Sequence, residues 1–252
     1  MKNEPWLKTE EGIYLQINLR LSTIQNFLND VRKALDKYVQ SELTEIGDDV
    51  DNGEYPKEYP KEYLLENFGE AIYNDMLPYL SLSFVMLISS EFEKSIKQVC
   101  SKLKERLKLE TDLDDFKRKK GIGLIKGARK YLTDHGKFKN PDIKSWESIE
   151  DIYLIRNIIV HNELVYEKLR NNQKEAVNRF DKKNCGIKIY TDPFADILPN
   201  NENRQAEPTR ILIDWNFCEY CIKETITFFE KLQTEHLKRL FGSLRLVSDK
   251  QD

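Results

Sequence analysis

The chain has 252 residues, 40 Lys and Arg against 43 Asp and Glu, and a net charge of -3. That balance excludes a uniformly basic nucleic-acid binder, so any phosphate recognition has to come from a local patch. The longest apolar run, Leu77 to Ser89, is broken by Pro78 and by serines and is too short to span a bilayer, so no membrane partner is expected. The four cysteines, Cys100, Cys185, Cys218 and Cys221, follow no disulfide framework and no signal-peptide pattern precedes them. A reducing cytoplasm is the expected location.

In chain order, Ile13 to Ile46 is predicted as one amphipathic helix, with Ile17, Leu21, Ile24, Leu28, Val31 and Leu35 at three- and four-residue steps. Gly47 is expected to open an acidic loop through Gly53. A tandem Glu-Tyr-Pro-Lys repeat follows from Glu54 to Tyr63, where two prolines forbid a regular helix. It fits a surface loop better than a recognition segment. A short helix is predicted over Tyr63–Asp75, then a second long one from Pro78 to Leu109. The latter's first half, Leu80 to Ile88, is apolar nearly all round and is expected at the centre of the core. Glu91 and Glu93 come where that apolar character ends, each able to face a cation on another helix.

Seven cations fall within fourteen residues at Lys117, Arg118, Lys119, Lys120, Lys126, Arg129 and Lys130. They surround Gly121-Ile122-Gly123, which has neither the Gly-Lys-Ser/Thr ending nor the preceding strand of a phosphate loop. Leu124–Leu132 is predicted as a short helix with a basic face, either solvated or phosphate-attracting. Asn140-Pro141-Asp142 breaks the chain, and Ser145 or Ser148 can cap the next helix. Beyond Asn171, Gly186–Tyr190 and Thr209–Ile213 alternate like two short strands. Asp214 then looks like the N-cap of a last long helix, Trp215–Phe241. Cys218 and Cys221 lack a second ligand pair and a thioredoxin-like context, so they read as core-facing thiols, with no metal and no cofactor expected.

The helix after Pro141 holds the chemistry. With Ile149 at zero on a helical wheel, Ile152, Tyr153, Ile159 and Val160 fall within ~80° of it and Arg156 lands ~20° away. A guanidinium buried there costs several kcal/mol unless it is paired. His161, one of three histidines in the chain, follows five residues later. In a straight helix the two side chains are ~140° and ~7.5 Å apart, so they do not converge on one phosphate unless the helix bends or a second copy supplies the other half. Asn157 and His161 share a face. Leu154, Ile158 and Val165 form a second apolar strip, so the helix needs two partners, one of which can be another subunit. His135, beside Gly136, reads as a loop residue with no partner nearby in sequence, and His236 as surface.

Arg156-Asn157-Ile158-Ile159-Val160-His161 resembles the Arg-x(4–6)-His signature of HEPN-domain ribonucleases, including the polar residue directly after the arginine. The resemblance covers roughly Ile13 to Lys168. It implies metal-independent RNA cleavage by two HEPN domains with facing motifs, of the kind found in toxins and antiphage effectors. RNA, with tRNA among the candidates, a second copy of the chain, and a cognate antitoxin or defence partner are the partners it implies. Histidine titrates near neutrality and can act as acid or base, and arginine can clamp a phosphate. The expected site is Arg156, Asn157 and His161, with Glu91 as a supporting carboxylate and the seven cations as RNA contacts.

The expected fold is mainly α: a HEPN-like antiparallel helical core over residues 1–170, with a β-hairpin and long final helix over 171–252 packed on the same domain. The alternatives are a catalytically silent HEPN module that binds a nucleotide, RNA or protein, and a plain helical scaffold. In the last, Arg156 pairs with a buried carboxylate and His161 caps a helix end.

Overall fold

The apolar periodicities become eight α-helices and one small sheet in a computed structural model that describes residues 10–53, 61–71, 76–136, 143–161, 164–190 and 209–248. In order these are α1 (Glu10–Asp51), α2 (Lys61–Ala71), α3 (Leu77–Leu107), α4 (Leu113–Lys120), α5 (Leu124–Asp134), α6 (Ile143–His161), a 3₁₀ turn (Tyr166–Lys168), α7 (Asn171–Lys183), β1 (Ile187–Tyr190), β2 (Arg210–Ile213) and α8 (Trp215–Ser248). The protein is mainly α with a two-stranded antiparallel sheet, as the pattern predicts. None of its described helices is long and apolar enough to cross a membrane. The first seven residues of the Glu-Tyr-Pro-Lys repeat, 54–60, the Asn140-Pro141-Asp142 break and the loop 191–208 lie outside the described residues.

By internal contact the chain divides into two compact units. One is drawn from Met1–Thr23, Leu87–Asn157 and Tyr220–Asp252, the other from Ile24–Met86 and Ile158–Glu219. Each draws on both sides of residue 170, a different cut from the one composition suggests. In the first unit the buried core centres on Phe92, whose ring lies 5.8 Å from Tyr153, 5.3 Å from Phe228 and 5.4 Å from Phe229. Trp146 of α6 packs edge-on against Phe228 at 4.6 Å and is fully buried. Ile17 and Leu21 of α1 are buried at the predicted steps.

In the second unit Phe84 lies between Phe27 at 5.5 Å and Trp215 at 5.2 Å. Phe180 of α7 meets Phe217 at 5.0 Å. Asp214 accepts from the Asn216 N–H at 2.8 Å, the capping role its position predicts.

Two expectations are corrected. The acidic stretch after Gly47 is helical to Asp51. Gly47 is buried, and Lys61 pairs with Asp51 at 2.5 Å, offsetting the unfavourable placement of carboxylates at a helix C-terminus. The first half of α3 is not covered all round. Ser81, Phe84, Val85, Ile88 and Ser89 are buried on one face, whereas Tyr79 is 72% and Leu87 41% exposed. Two serines on the buried face replace the apolar residues that the outer face carries instead.

Gly186, at the start of the hairpin, has φ +87°, and its carbonyl accepts from Asp214 N at 2.8 Å. A Cβ there would stand 2.2 Å from Asp214 Oδ1 and 2.3 Å from Phe217 N. Gly186→Ala therefore adds left-handed strain of about 1–3 kcal/mol to a steric overlap that only backbone movement relieves. Urea unfolding should show a loss of more than about 2 kcal/mol, against a change within about 0.5 kcal/mol for an exposed substitution such as Lys182→Ala.

Candidate functional site

Helix α6 runs Ile143–His161, so both expected caps, Ser145 and Ser148, lie inside it. Ser145 is buried in its first turn, where its hydroxyl accepts from Lys231 Nζ at 3.0 Å. Trp146, Ile149, Ile152, Ile155 and Ile158 are each at most 2% exposed. They follow one another at three-residue steps, and each step falls ~60° short of a full turn, so the covered face winds around the helix. Arg156 stands on the line that began at Ile149, from which the covered face has already turned away.

This corrects the expectation of a buried guanidinium. Arg156 and Asn157 are half-buried, and Val160, on the same line, is 44% exposed. Arg156 Nη1 donates to Asn157 Oδ1 at 3.1 Å. Arg156 forms no salt bridge among the described residues, so its cost of burial is met by partial hydration and the amide. His161 is exposed in the last turn of α6 and falls in the second unit, whereas Arg156 and Asn157 close the first unit's share of the helix.

The carboxylates of α3 divide differently from expectation. Glu91 is engaged by Arg20 Nε, with Lys94 at 3.8 Å, and does not serve Arg156. Arg20 also donates to Ser95 Oγ at 3.2 Å and Gln98 Oε1 at 3.1 Å, and Ser95 donates to Glu91 at 3.0 Å. This α1–α3 network satisfies a part-buried charge on each side. Glu93 acts instead on Tyr153, three residues before Arg156 on α6. Burial and the adjacent Glu93 carboxylate push the Tyr153 hydroxyl far above its ordinary range, with Arg156 acting in the opposite direction. Tyr153 therefore stays neutral, donating to the Ser89 carbonyl at 3.1 Å.

The basic run forms a helix–turn–helix. Asp112 caps α4 by accepting from Asp115 N at 2.8 Å, and Gly121, at φ +63°, ends it. Lys117 and Arg118 are neutralised three residues back, Lys117 by Asp114 at 2.7 Å and Arg118 by Asp115. The Lys117 stem covers Gly127, where a Cβ would stand 2.4 Å from its Cγ. Lys119 and Lys120 are exposed at the α4 C-terminus, where cations are favourable. Lys126, Arg129 and Lys130 line an open depression of ≈ 510 Å³ with Thr133, Asp134 and Glu150. Glu150 partly offsets it, 3.7 Å from Arg129.

Of the two remaining histidines, His135 lies in the turn after α5 as expected, its ring 4.8 Å from Tyr131 and 5.5 Å from Phe116, whereas His236 is not at the surface. His236 is 5% exposed, its Nδ1 3.2 Å from the Tyr14 hydroxyl, because it continues the buried line of Thr225, Phe229 and Leu232. Cys100, Cys218 and Cys221 are buried thiols, none of them in a disulfide. Desolvation lifts Cys218 to about 12 while its S–H donates to the Ser81 carbonyl at 3.3 Å. Among the described residues no group of three or more His, Cys, Asp or Glu is placed to hold a metal ion.

No protein-family model, curated protein or solved structure matches the chain.

Tyr131 ties α5 to the start of α4. It is fully buried and donates to the Thr111 carbonyl at 2.8 Å, and burial, with smaller contributions from Cys100 and Asp112, raises it to about 12. A raised pKa means the fold favours the neutral phenol. Its contribution is complete below about pH 10, the unfolded value, and is lost as pH rises through about 12. Chemical denaturation between these pH values should show stability falling, with a smaller fall in Tyr131→Phe.

Proposed function

We propose that the chain is an endoribonuclease that cleaves RNA by attack of a 2′-hydroxyl on the adjacent phosphate, with His161 moving the proton and Arg156 holding the phosphate. The observation that carries this reading is the uncovered end of α6. A histidine is exposed in its last turn, and a half-buried arginine one and a half turns back donates to the Asn157 amide and meets no carboxylate among the described residues. An arginine so placed keeps N–H groups for a bidentate phosphate contact. An exposed imidazole reaches a solvent-borne substrate and can act as base or acid. Asn157 holds the guanidinium in place. Attack by the 2′-oxygen expels the 5′-oxygen of the next nucleotide, which takes a proton, and leaves a 2′,3′-cyclic phosphate.

The HEPN resemblance of Arg156–His161 supports the same reading and adds a second copy of the chain, with two α6 ends facing one another. Val160, 44% exposed between the two motif residues, gives such a pairing an apolar contact. Lys119, Lys120, Lys126 and Lys130 would meet the RNA backbone away from the scissile bond. Toxin or antiphage activity in the cytoplasm, with an antitoxin or defence protein as regulator, is the setting the resemblance suggests. A silent HEPN module is the outcome in which RNA binds and is not cut.

The test is purified protein incubated with total RNA in EDTA, beside Arg156→Ala and His161→Ala. The parent should cleave, and His161→Ala should lose about 10²–10⁴-fold in rate, with Arg156→Ala also strongly impaired. Variants that cut as well as the parent would remove the motif from the mechanism. Light scattering at micromolar concentration should give a dimer; a monomer contradicts the facing arrangement.

A further inference from the structure

The β-hairpin carries an outward face that its fold does not use. The register pairs Ile187 with Ile213, Lys188 with Leu212, Ile189 with Ile211 and Tyr190 with Arg210. Opposed residues share a face and successive residues alternate. The four isoleucines thus line the inner face, with Ile187, Ile211 and Ile213 at most 1% exposed. The outer face holds Lys188, Leu212, Tyr190 and Arg210, all exposed, with Tyr190 at 47%.

The far edge of β2 is occupied by the segment that follows α6. Ile211 N donates to the Leu164 carbonyl at 2.8 Å, Tyr166 N donates to the Thr209 carbonyl at 2.9 Å, and Val165 bridges Arg210. Arg210 therefore has Tyr190 on one side and Val165 on the other. Leu164, at φ +59°, begins this edge segment, and both His161 and the hairpin belong to the second unit.

A solvent-facing strand pair ordinarily carries charged residues of both signs. This one carries two cations, an aromatic ring and a leucine, and no acid. Neither Lys188 nor Arg210 forms an ion pair among the described residues. Glu167, at the same edge, is held by the Thr209 N–H at 3.1 Å. An exposed ring flanked by cations is the chemistry of a platform for unpaired bases, the ring stacking on a base and the cations meeting phosphates or a second base.

We propose that the outer face of the hairpin binds single-stranded RNA, with Tyr190 stacking on a base and Lys188 and Arg210 beside it. Two residues along a strand and two strands across span roughly 7 Å by 5 Å, room for one or two bases. Bases in a duplex are stacked on one another and offer the ring no face. This names the substrate class of the cleavage proposed above as unpaired RNA, and it rests on that reading.

The test uses the full chain carrying His161→Ala, so that RNA is bound rather than cut. Fluorescence anisotropy follows a short fluorescein-labelled oligoribonucleotide, alone or annealed to its complement. The single strand should bind about tenfold more tightly than the duplex, and adding Tyr190→Ala should cost about tenfold in single-strand affinity. Tyr190→Phe, which keeps the ring, should stay within about twofold of the parent. Equal affinity for both forms, no binding of either, or a Tyr190→Ala variant that binds like its parent would each overturn the proposal. If Tyr190 governs single-strand binding while the unsubstituted chain cuts no RNA, the platform stands and the nuclease reading fails. If RNA is cut and Tyr190 is indifferent, the platform alone fails.

Discussion

The winding of the covered face along α6 is the constraint from which the candidate site follows. Isoleucines at three-residue steps from Ile149 to Ile158 keep the helix anchored, yet each step rotates the contact by ~60°. By the last turns the line that began at Ile149 is open. Arg156, Val160 and His161 occupy the uncovered part of the helix, and Asn157 lies beside the arginine. A straight apolar stripe would have buried the guanidinium and demanded a carboxylate. The winding stripe makes that demand unnecessary, and it leaves these polar groups on a helix rather than on a loop.

Much of the architecture was legible in the sequence because it was written in long periods. Ile17 through Leu28 on α1, Pro78 in the first turn of α3, the alternating hairpin and the Asp214 cap all have one dominant local signal. What was missed carried weaker signals. Helix α4 is eight residues long and mostly charged, marked only by Asp112 before it and Gly121 after it. Helix α7 buries just Gln173, Ala176, Val177 and Phe180, too few for a periodicity to stand out from its polar residues. Gly47 looked like a break because its support, Lys61 on Asp51, comes from the next helix.

For the candidate site, residue types and spacing were legible and the environment was not. Arg156, Asn157 and His161 were picked out by residue type and spacing, but a fixed ~100° wheel misjudged burial because it assumed one straight stripe. Sequence order alone could not assign Glu91 and Glu93 of α3: Glu91 belongs to Arg20, and Glu93 lies against Tyr153. His236 reversed expectation for a similar reason: its surroundings, Tyr14 above all, are set by folding rather than by neighbours in the chain. The seven-cation run is weaker as a phosphate site than its count suggests, since Lys117 and Arg118 have acids three residues away.

In the proposed mechanism His161 and Arg156 direct a 2′-hydroxyl onto the neighbouring phosphate. The decisive measurement is mass spectrometry of a single-stranded oligoribonucleotide cut by the protein, beside the same oligomer with 2′-deoxy at the cleaved position. A 2′,3′-cyclic phosphate end is expected from the first and no cut at that position in the second. A 3′-hydroxyl end, or equal cutting of the deoxy-substituted oligomer, would contradict that mechanism.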